Sequence, residues 1–408
     1  MPVLRSIGTL ATCRGEGRQS DIDPIQDAAL VWEGGTVRWV GPEKALPADY
    51  ATWESWDADG ALVIPGLIDC HTHLAFGGWR AEEFEQRIQG SGYLDIARKG
   101  GGIMSTVAQT RTLSEDALLE RAGGFLDKMM ALGVTTVECK SGYGLNIETE
   151  LRLLRVYQRL GREGAARIIP TFLGAHVVPP EFRDRREDYI RLLIEELIPL
   201  VTGQGLARFC DAFVEDTAFT VPEARRILSA GKAAGLGAKL HADQLSSCGG
   251  AELAAELGAV SADHLECVSP AGIAAMAKSG TIAVSLPLAS LYLNHAPLPA
   301  RRLIEAGVPV AVATDFNPGS APSYHLPLAL SLACTMQRMT PAEALKGATI
   351  IAARALAIDG ATGSLEAGKS ADFAVIGAES VNEWCYHFTP NACRRVVARG
   401  REVSAGSR

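Results

Sequence analysis

Five of the eight histidines stand where a short apolar run gives way to polar residues. His71 and His73 follow the run 63–70, His176 follows 168–173, His241 closes 237–241 and His264 closes 260–264. Asp315 follows the apolar run 308–314 in the same way. Imidazole nitrogens and a carboxylate oxygen are ligands that suit Zn²⁺ or iron. On an extended strand, side chains two residues apart project to one side, so His71 and His73 can reach one ion while Thr72 points away. His241 and Asp315, contributed by distant strands, complete three nitrogens and one oxygen. Taken singly, a buried histidine is usually a hydrogen-bonded core residue. Five of them at strand ends, with a carboxylate, describe a metal centre holding Zn²⁺ or Fe²⁺/Fe³⁺. His295, His325 and His387 lack such a position and read as structural.

These residues need a scaffold that brings strand ends together. Between about residues 62 and 357 short apolar runs alternate with longer amphipathic ones. Eight strands are expected, at 63–70, 134–139, 168–173, 209–214, 237–241, 260–264, 282–286 and 308–314. Helical patterns intervene, for instance at 114–132, 148–160, 187–200, 222–234 and 249–257. Alternation of this kind implies a parallel sheet with helical crossovers, and eight repeats within about 300 residues imply a (β/α)₈ TIM-type barrel. In such a barrel the chemistry sits at the carboxyl ends of the strands. The two chain ends differ from this middle. Gly34-Gly35 separates Leu30-Val31-Trp32 from Val37-Arg38-Trp39-Val40, and Arg399-Gly400 separates two further short strands, both hairpin signals. Isolated hairpins are marginal in water, so residues 1–58 and 358–408 are expected to form one small β-sandwich domain beside a barrel of residues 59–357.

Composition removes several other readings. The chain has 408 residues, 47% hydrophobic and 21% charged, with Lys+Arg 39 against Asp+Glu 47 and a formal net charge of −8. Disorder and collagen-like structure are excluded, and the acidic balance argues against a nucleic-acid surface. The nine cysteines are scattered singly, without a CxxC pair. That pattern fits free thiols in a reducing, cytoplasmic compartment. Two stretches without Lys, Arg, Asp or Glu, 279–300 and 316–337, are interrupted by Pro and Asn and read as buried soluble segments rather than membrane spans. A small-molecule substrate is the expected partner, with a homodimer as the commonest assembly for such enzymes.

Two segments carry a family resemblance. Val63-Ile64-Pro65-Gly66-Leu67-Ile68-Asp69-Cys70-His71-Thr72-His73 resembles the opening signature of the amidohydrolase superfamily. Gly363-Ser364-Leu365-Glu366-Ala367-Gly368-Lys369-Ser370-Ala371-Asp372 resembles that superfamily's return from the barrel to the β unit. Further segments narrow the likeness: Lys140 to Gly144, Leu173 to Pro179, Lys239 to Gln244 and Thr314 to Ser320. Together they are similar to the family that opens an imidazolone ring in histidine degradation. The resemblance implies that His71, His73, His241 and Asp315 hold the metal and that Arg80 meets a propanoate carboxylate. It implies substrate contacts for Tyr143 and His176, contact with substrate or product for Asn317, Gly319 and Ser320, and a place beside the attacking water for Gln244 and His264.

Two local features shape the expected chemistry. Some binuclear relatives carry a carboxylated lysine at the fourth strand end, where this chain reads Phe213-Val214-Glu215-Asp216, so a single ion is expected, with Lys140 as an ion-pairing lysine. An amide at Gln244 can orient a water but cannot take its proton. That work therefore falls to Asp315 or His264. Glu138, Glu215, Asp216 and Glu266 are candidates for outer hydrogen bonds to the ligating histidines. The alternative reading keeps the fold and the metal and changes the substrate to that of a deaminase or another cyclic amidohydrolase, with Arg80, Tyr143 and the 317–320 loop as the discriminating positions.

Overall fold

The computed structural model describes residues 2–90 and 101–403. Eight strands, Leu67–Asp69, Val134–Lys140, Arg167–Ala175, Phe209–Val214, Gly237–Ala242, Ser261–His264, Ile282–Ser285 and Val310–Val312, pair in sequence order, each parallel to the next. Val134–Lys140 is buried along its whole length, as a parallel strand covered on its outer face must be. The seam between the first and eighth strands closes beyond their carboxyl ends. Asp315 donates its N–H to the His71 carbonyl at 3.1 Å, and His73 donates to the Phe316 carbonyl at 2.9 Å. Asp69 ties the same two strands from below, accepting from the Thr314 N–H at 3.1 Å and its hydroxyl at 2.6 Å.

The helices start where their caps place them. Ser114 accepts from the Ala117 N–H ahead of Glu115–Met130, and Asn146 accepts from the Thr149 N–H ahead of Ile147–Glu163. Thr220 and Glu223 form a capping box at Val221–Ala233. No helix among the described residues is long and apolar enough to cross a membrane. The stretch 279–300 contains a buried strand and the short helix Pro287–Leu293, and 316–337 ends in the helix Leu326–Gln337.

The termini form a second sheet, running Arg401–Val403, Cys393–Ala398, Phe373–Ile376, Leu62–Pro65, Pro2–Ala11, Pro24–Glu33 and Thr36–Pro42, with Glu54–Asp57 beside Pro2–Ala11. Two strands lie between those of Phe373 and Trp32, a separation of roughly 14 Å on a flat sheet. Their ring centroids are nevertheless 5.0 Å apart. The sheet therefore folds over, and its two halves enclose a core of Leu4, Ile7, Leu30, Trp32, Phe373 and Val397.

One expected strand divides. The run 63–70 becomes Leu62–Pro65 in the terminal sheet and Leu67–Asp69 in the barrel. Gly66 marks the crossing, because a Cβ there would lie 2.3 Å from the Thr135 hydroxyl oxygen. The strand that carries His71 and His73 thus leaves the terminal sheet and enters the barrel within one residue. Pro2–Ala11 and Glu54–Asp57 carry no alternation strong enough to announce them; the first is placed by pairing with Pro24–Glu33 and Leu62–Pro65, the second by pairing with Pro2–Ala11.

Candidate metal centre and substrate cavity

A cavity of about 410 Å³ opens at the carboxyl ends of the barrel strands, within the range that small ligands occupy. His73, Arg80, Tyr143, His176, His241, Gln244, His264, Asp315, Asn317, Gly319 and Ser320 all line it. His71 lies beneath the floor, fully buried. The residues to which the resemblance gives a metal or substrate role are therefore in the cavity wall or directly under it.

At the floor, His71 Nε2 lies 3.3 Å from Asp315 Oδ1, His73 Nε2 lies 3.5 Å from the same oxygen, and His241 Nε2 lies 3.4 Å from His73 Nε2. Ligands about 2.0–2.1 Å from a tetrahedral Zn²⁺ stand about 3.3 Å apart, so each of these three pairs is spaced like neighbouring ligands of one ion, and His71, His73 and Asp315 together lie within 4.8 Å of one another. The far side of two rings is also prepared. His71 Nδ1 is 2.7 Å from Asp263 Oδ2, and His241 Nδ1 is 3.0 Å from Asp211 Oδ2. A carboxylate at Nδ1 holds the proton there and leaves the Nε2 lone pair for a cation. Burial pushes the His73 imidazole below its ordinary value and the His241 imidazole well below it. Burial and Lys140 oppose a proton on His71 as well, yet Asp263 and Asp315 lift that ring to about 9. Burial pushes Asp315 up, but His71 and His73 hold it well below the usual carboxylate range. His264 also reaches this cluster, since ring nitrogens of His71, His241 and His264 lie within 4.8 Å of one another.

The backbone is strained where the site is built. Asp315 has φ +56°, His264 +79°, Leu265 +68° and Asp243 +49°, in a region non-glycine residues occupy at a cost of about 1–3 kcal/mol each. Asp243 shows what holds such a turn. Its carboxylate accepts the N–H groups of Cys248, Gly249, Gly250 and Ala251 at 2.9–3.1 Å, which fixes the loop carrying Gln244. Tyr143 is positioned similarly, because Glu150 gathers the N–H groups of Gly142, Gly144 and Leu145. His176 stacks on His73 at 5.2 Å and meets the Gly142 carbonyl at 3.1 Å. Burial and the neighbouring His73 push His176 down to about 3, so it stays neutral.

On the opposite wall, Arg80 gives Nε to Glu83 at 2.8 Å and Nη2 to the same oxygen at 2.7 Å. Its Nη1 packs against Gly319, where a Cβ would sit 2.3 Å away. Asn317 organises the rest of that loop, accepting from the N–H groups of Gly319 and Ser320 at 2.7 and 2.8 Å. Ser320 donates its hydroxyl to Asp315 Oδ2 at 3.1 Å.

The outer partners differ from those expected. Asp211 and Asp263 face the histidines, whereas Glu138 turns to Lys140 at 3.0 Å and Glu215 accepts from the N–H groups of Leu245 and Ser246. Of the expected four, Glu266 lies 3.6 Å from His264 Nδ1, and Glu138 comes within 4.8 Å of a His71 ring nitrogen while its hydrogen bond goes to Lys140. His295 lines the cavity mouth rather than serving a purely structural role, and Glu83, which holds Arg80, was not foreseen. A usable signal existed for the aspartates. Charged residues inside strands buried on both faces need internal partners, and Lys140, Asp211, Lys239 and Asp263 are such residues.

Comparison with known proteins shows the family. The model of the amidohydrolase family matches residues 62–403. An imidazolonepropionase of Cupriavidus taiwanensis is 47% identical over 391 residues, 95% of this chain and 94% of the relative. One from Myxococcus xanthus is 47% identical over 405 residues, 98% and 96% of the two chains. Among solved structures, an adenosine deaminase from Xanthomonas campestris with bound zinc superposes with a TM-score of 0.72 at 17% identity, over 98% of this chain and 92% of that one. At that identity the likeness concerns the fold.

Proposed function

The chain belongs to the amidohydrolase family, and on that footing we propose that it hydrolyses the cyclic amide bond of 4-imidazolone-5-propanoate to N-formimidoyl-L-glutamate, a step of histidine degradation. The observation that carries this reading is near-half identity to imidazolonepropionases over almost the whole of both chains. His71, His73, His241 and Asp315 would hold one Zn²⁺ or Fe²⁺/Fe³⁺ ion per subunit. When bound, such an ion supplies the Lewis acidity that makes water nucleophilic at neutral pH.

The protein's own groups do the rest. Water adds to the ring carbonyl carbon, the C–N bond breaks, and the leaving nitrogen takes up a proton. Asp315 takes the proton of the attacking water and delivers it to that nitrogen, with its Oδ2 steered by the Ser320 hydroxyl. His264, backed by Glu266, steadies the developing oxyanion, a contribution of about 3–4 kcal/mol for a well-placed donor. The Gln244 amide orients the water. Arg80, its Nε and one Nη engaged by Glu83, offers Nη1 beside Gly319 to the propanoate. Tyr143 and His176 pack on ring and chain, and the 317–320 loop receives the substrate or the released product. The nine free thiols are in keeping with a cytoplasmic enzyme.

The test follows the ultraviolet absorbance of 4-imidazolone-5-propanoate with metal-replete protein, before and after chelation. The absorbance should fall with the replete protein and stay constant after chelation. An unchanged signal with replete protein excludes the substrate, and turnover that survives complete chelation excludes the metal.

A further inference from the structure

Lys140 is completely buried beneath the metal ligands and takes no part in the chemistry above. Its ammonium donates to Asp211 Oδ2 at 2.8 Å, Glu138 Oε1 at 3.0 Å and Asp263 Oδ2 at 3.2 Å. Three donors meet three carboxylates, all wholly buried. Two of those oxygens are the very atoms that face His241 Nδ1 and His71 Nδ1. Lys239 backs the group from the other side, 3.5 Å from Glu138 Oε2. His71, Glu138 and Asp263 could by themselves gather a cation, but the Lys140 ammonium already touches both of those carboxylates.

We propose that Lys140 is a positioning residue for the metal centre: by pinning Asp211 and Asp263 with one ammonium, it fixes the orientation of the His241 and His71 rings at once. The physical basis is the cost of leaving buried carboxylates without a counter-charge. Without Lys140, Asp211 and Asp263 repel each other, and each is drawn towards water or a proton instead of holding its imidazole. Outer groups of this kind set metal affinity over about 10–100-fold. The proposal rests on the metal site proposed above.

The test is zinc binding by the full-length apoprotein, measured by competition with a chromogenic chelator, in wild type, Lys140→Met and Glu138→Gln. Glu138 holds the ammonium, and also meets Lys239 and the Thr171 hydroxyl, but makes no hydrogen bond to either histidine, so its variant reaches the rings only indirectly. Lys140→Met should weaken zinc binding about 10–100-fold, and Glu138→Gln should weaken it by less. At saturating zinc, KM should stay within about twofold while kcat falls, because no group that contacts the substrate has moved. A merely structural lysine would lower the melting temperature and leave zinc affinity unchanged. Wild-type zinc affinity in either folded variant overturns the proposal, as does failure of both variants to fold. Failure of the wild-type apoprotein to bind one zinc ion refutes the metal site itself, a separate result.

Discussion

The mouth of the barrel and the sheet built from the termini solve opposite problems. Under the mouth, Glu138, Lys140, Asp211, Lys239 and Asp263 are all fully buried, and four non-glycine residues around the site hold left-handed backbone. The terminal sheet buries Leu4, Leu30, Trp32, Phe373 and Val397 without a charge among them. Trp32 there packs edge-on against both Trp56 and Phe373 and gives its indole N–H to the Gly400 carbonyl at 3.0 Å. Buried charge is a weak source of stability but a strong source of specified geometry, whereas apolar packing stabilises in proportion to the area it covers. Function and stability should therefore respond to different substitutions.

The largest effect expected is at the mouth. His241→Ala removes one of three imidazole nitrogens, and the purified protein should lose stoichiometric metal and ring-opening activity together while keeping its secondary structure. Metal analysis beside circular dichroism checks this, and a metal-replete, active variant would break the division drawn here. In the other region, Trp32→Ala should cost about 3–5 kcal/mol of stability and leave turnover per folded molecule at the wild-type level. Denaturant unfolding followed alongside kcat decides it; a drop in kcat without loss of stability would show that the sheet acts on the site.

A smaller change sharpens the picture inside the cavity. Arg80→Ala should raise KM about 10–100-fold, the equivalent of a charge-assisted hydrogen bond of about 1.5–3 kcal/mol, with kcat little altered. Steady-state kinetics tests it, and an unchanged KM removes Arg80 from carboxylate binding. The smallest effect belongs to an ion pair outside both regions. The Arg186 guanidinium, with the Thr220 cap, holds the Glu223 carboxyl down to about 2. A carboxyl lower in the folded than in the unfolded chain stabilises above its unfolded value of about 4.3 and loses that contribution as pH falls towards 2. Glu223→Gln should abolish this small acid dependence, worth less than about 1 kcal/mol for a partly solvent-exposed pair. Unfolding free energies at pH 3 and pH 6 measure it, and an unchanged slope would show that the pair contributes nothing.

Much of the site was legible because its residues sit at one repeated position, the end of an apolar run. His71, His73, His241 and Asp315 group from the sequence alone, since a barrel brings strand ends together. Glu83 and His295 were not legible in the same way. One lies on a helix and one on a loop, and neither follows a strand. Asp211 and Asp263 were passed over for the opposite reason, being hidden inside strands, where the pairing that explains them runs between the second, fourth and sixth strands. The division of 62–65 from 67–69 escaped the pattern because a continuous apolar run looks the same whether it serves one sheet or two.

By itself the amino-acid order determined the alternation of strands and helices, the ligand types and the likeness of its motifs, since these depend on periodicity and residue identity along the chain. Only the tertiary structure decided which nitrogen of each ring faces its neighbours in the cluster, which carboxylate stands behind it, and where the terminal sheet hands the chain to the barrel. Those outcomes depend on distances of about 3 Å between residues a hundred or more positions apart, and only packing sets such distances.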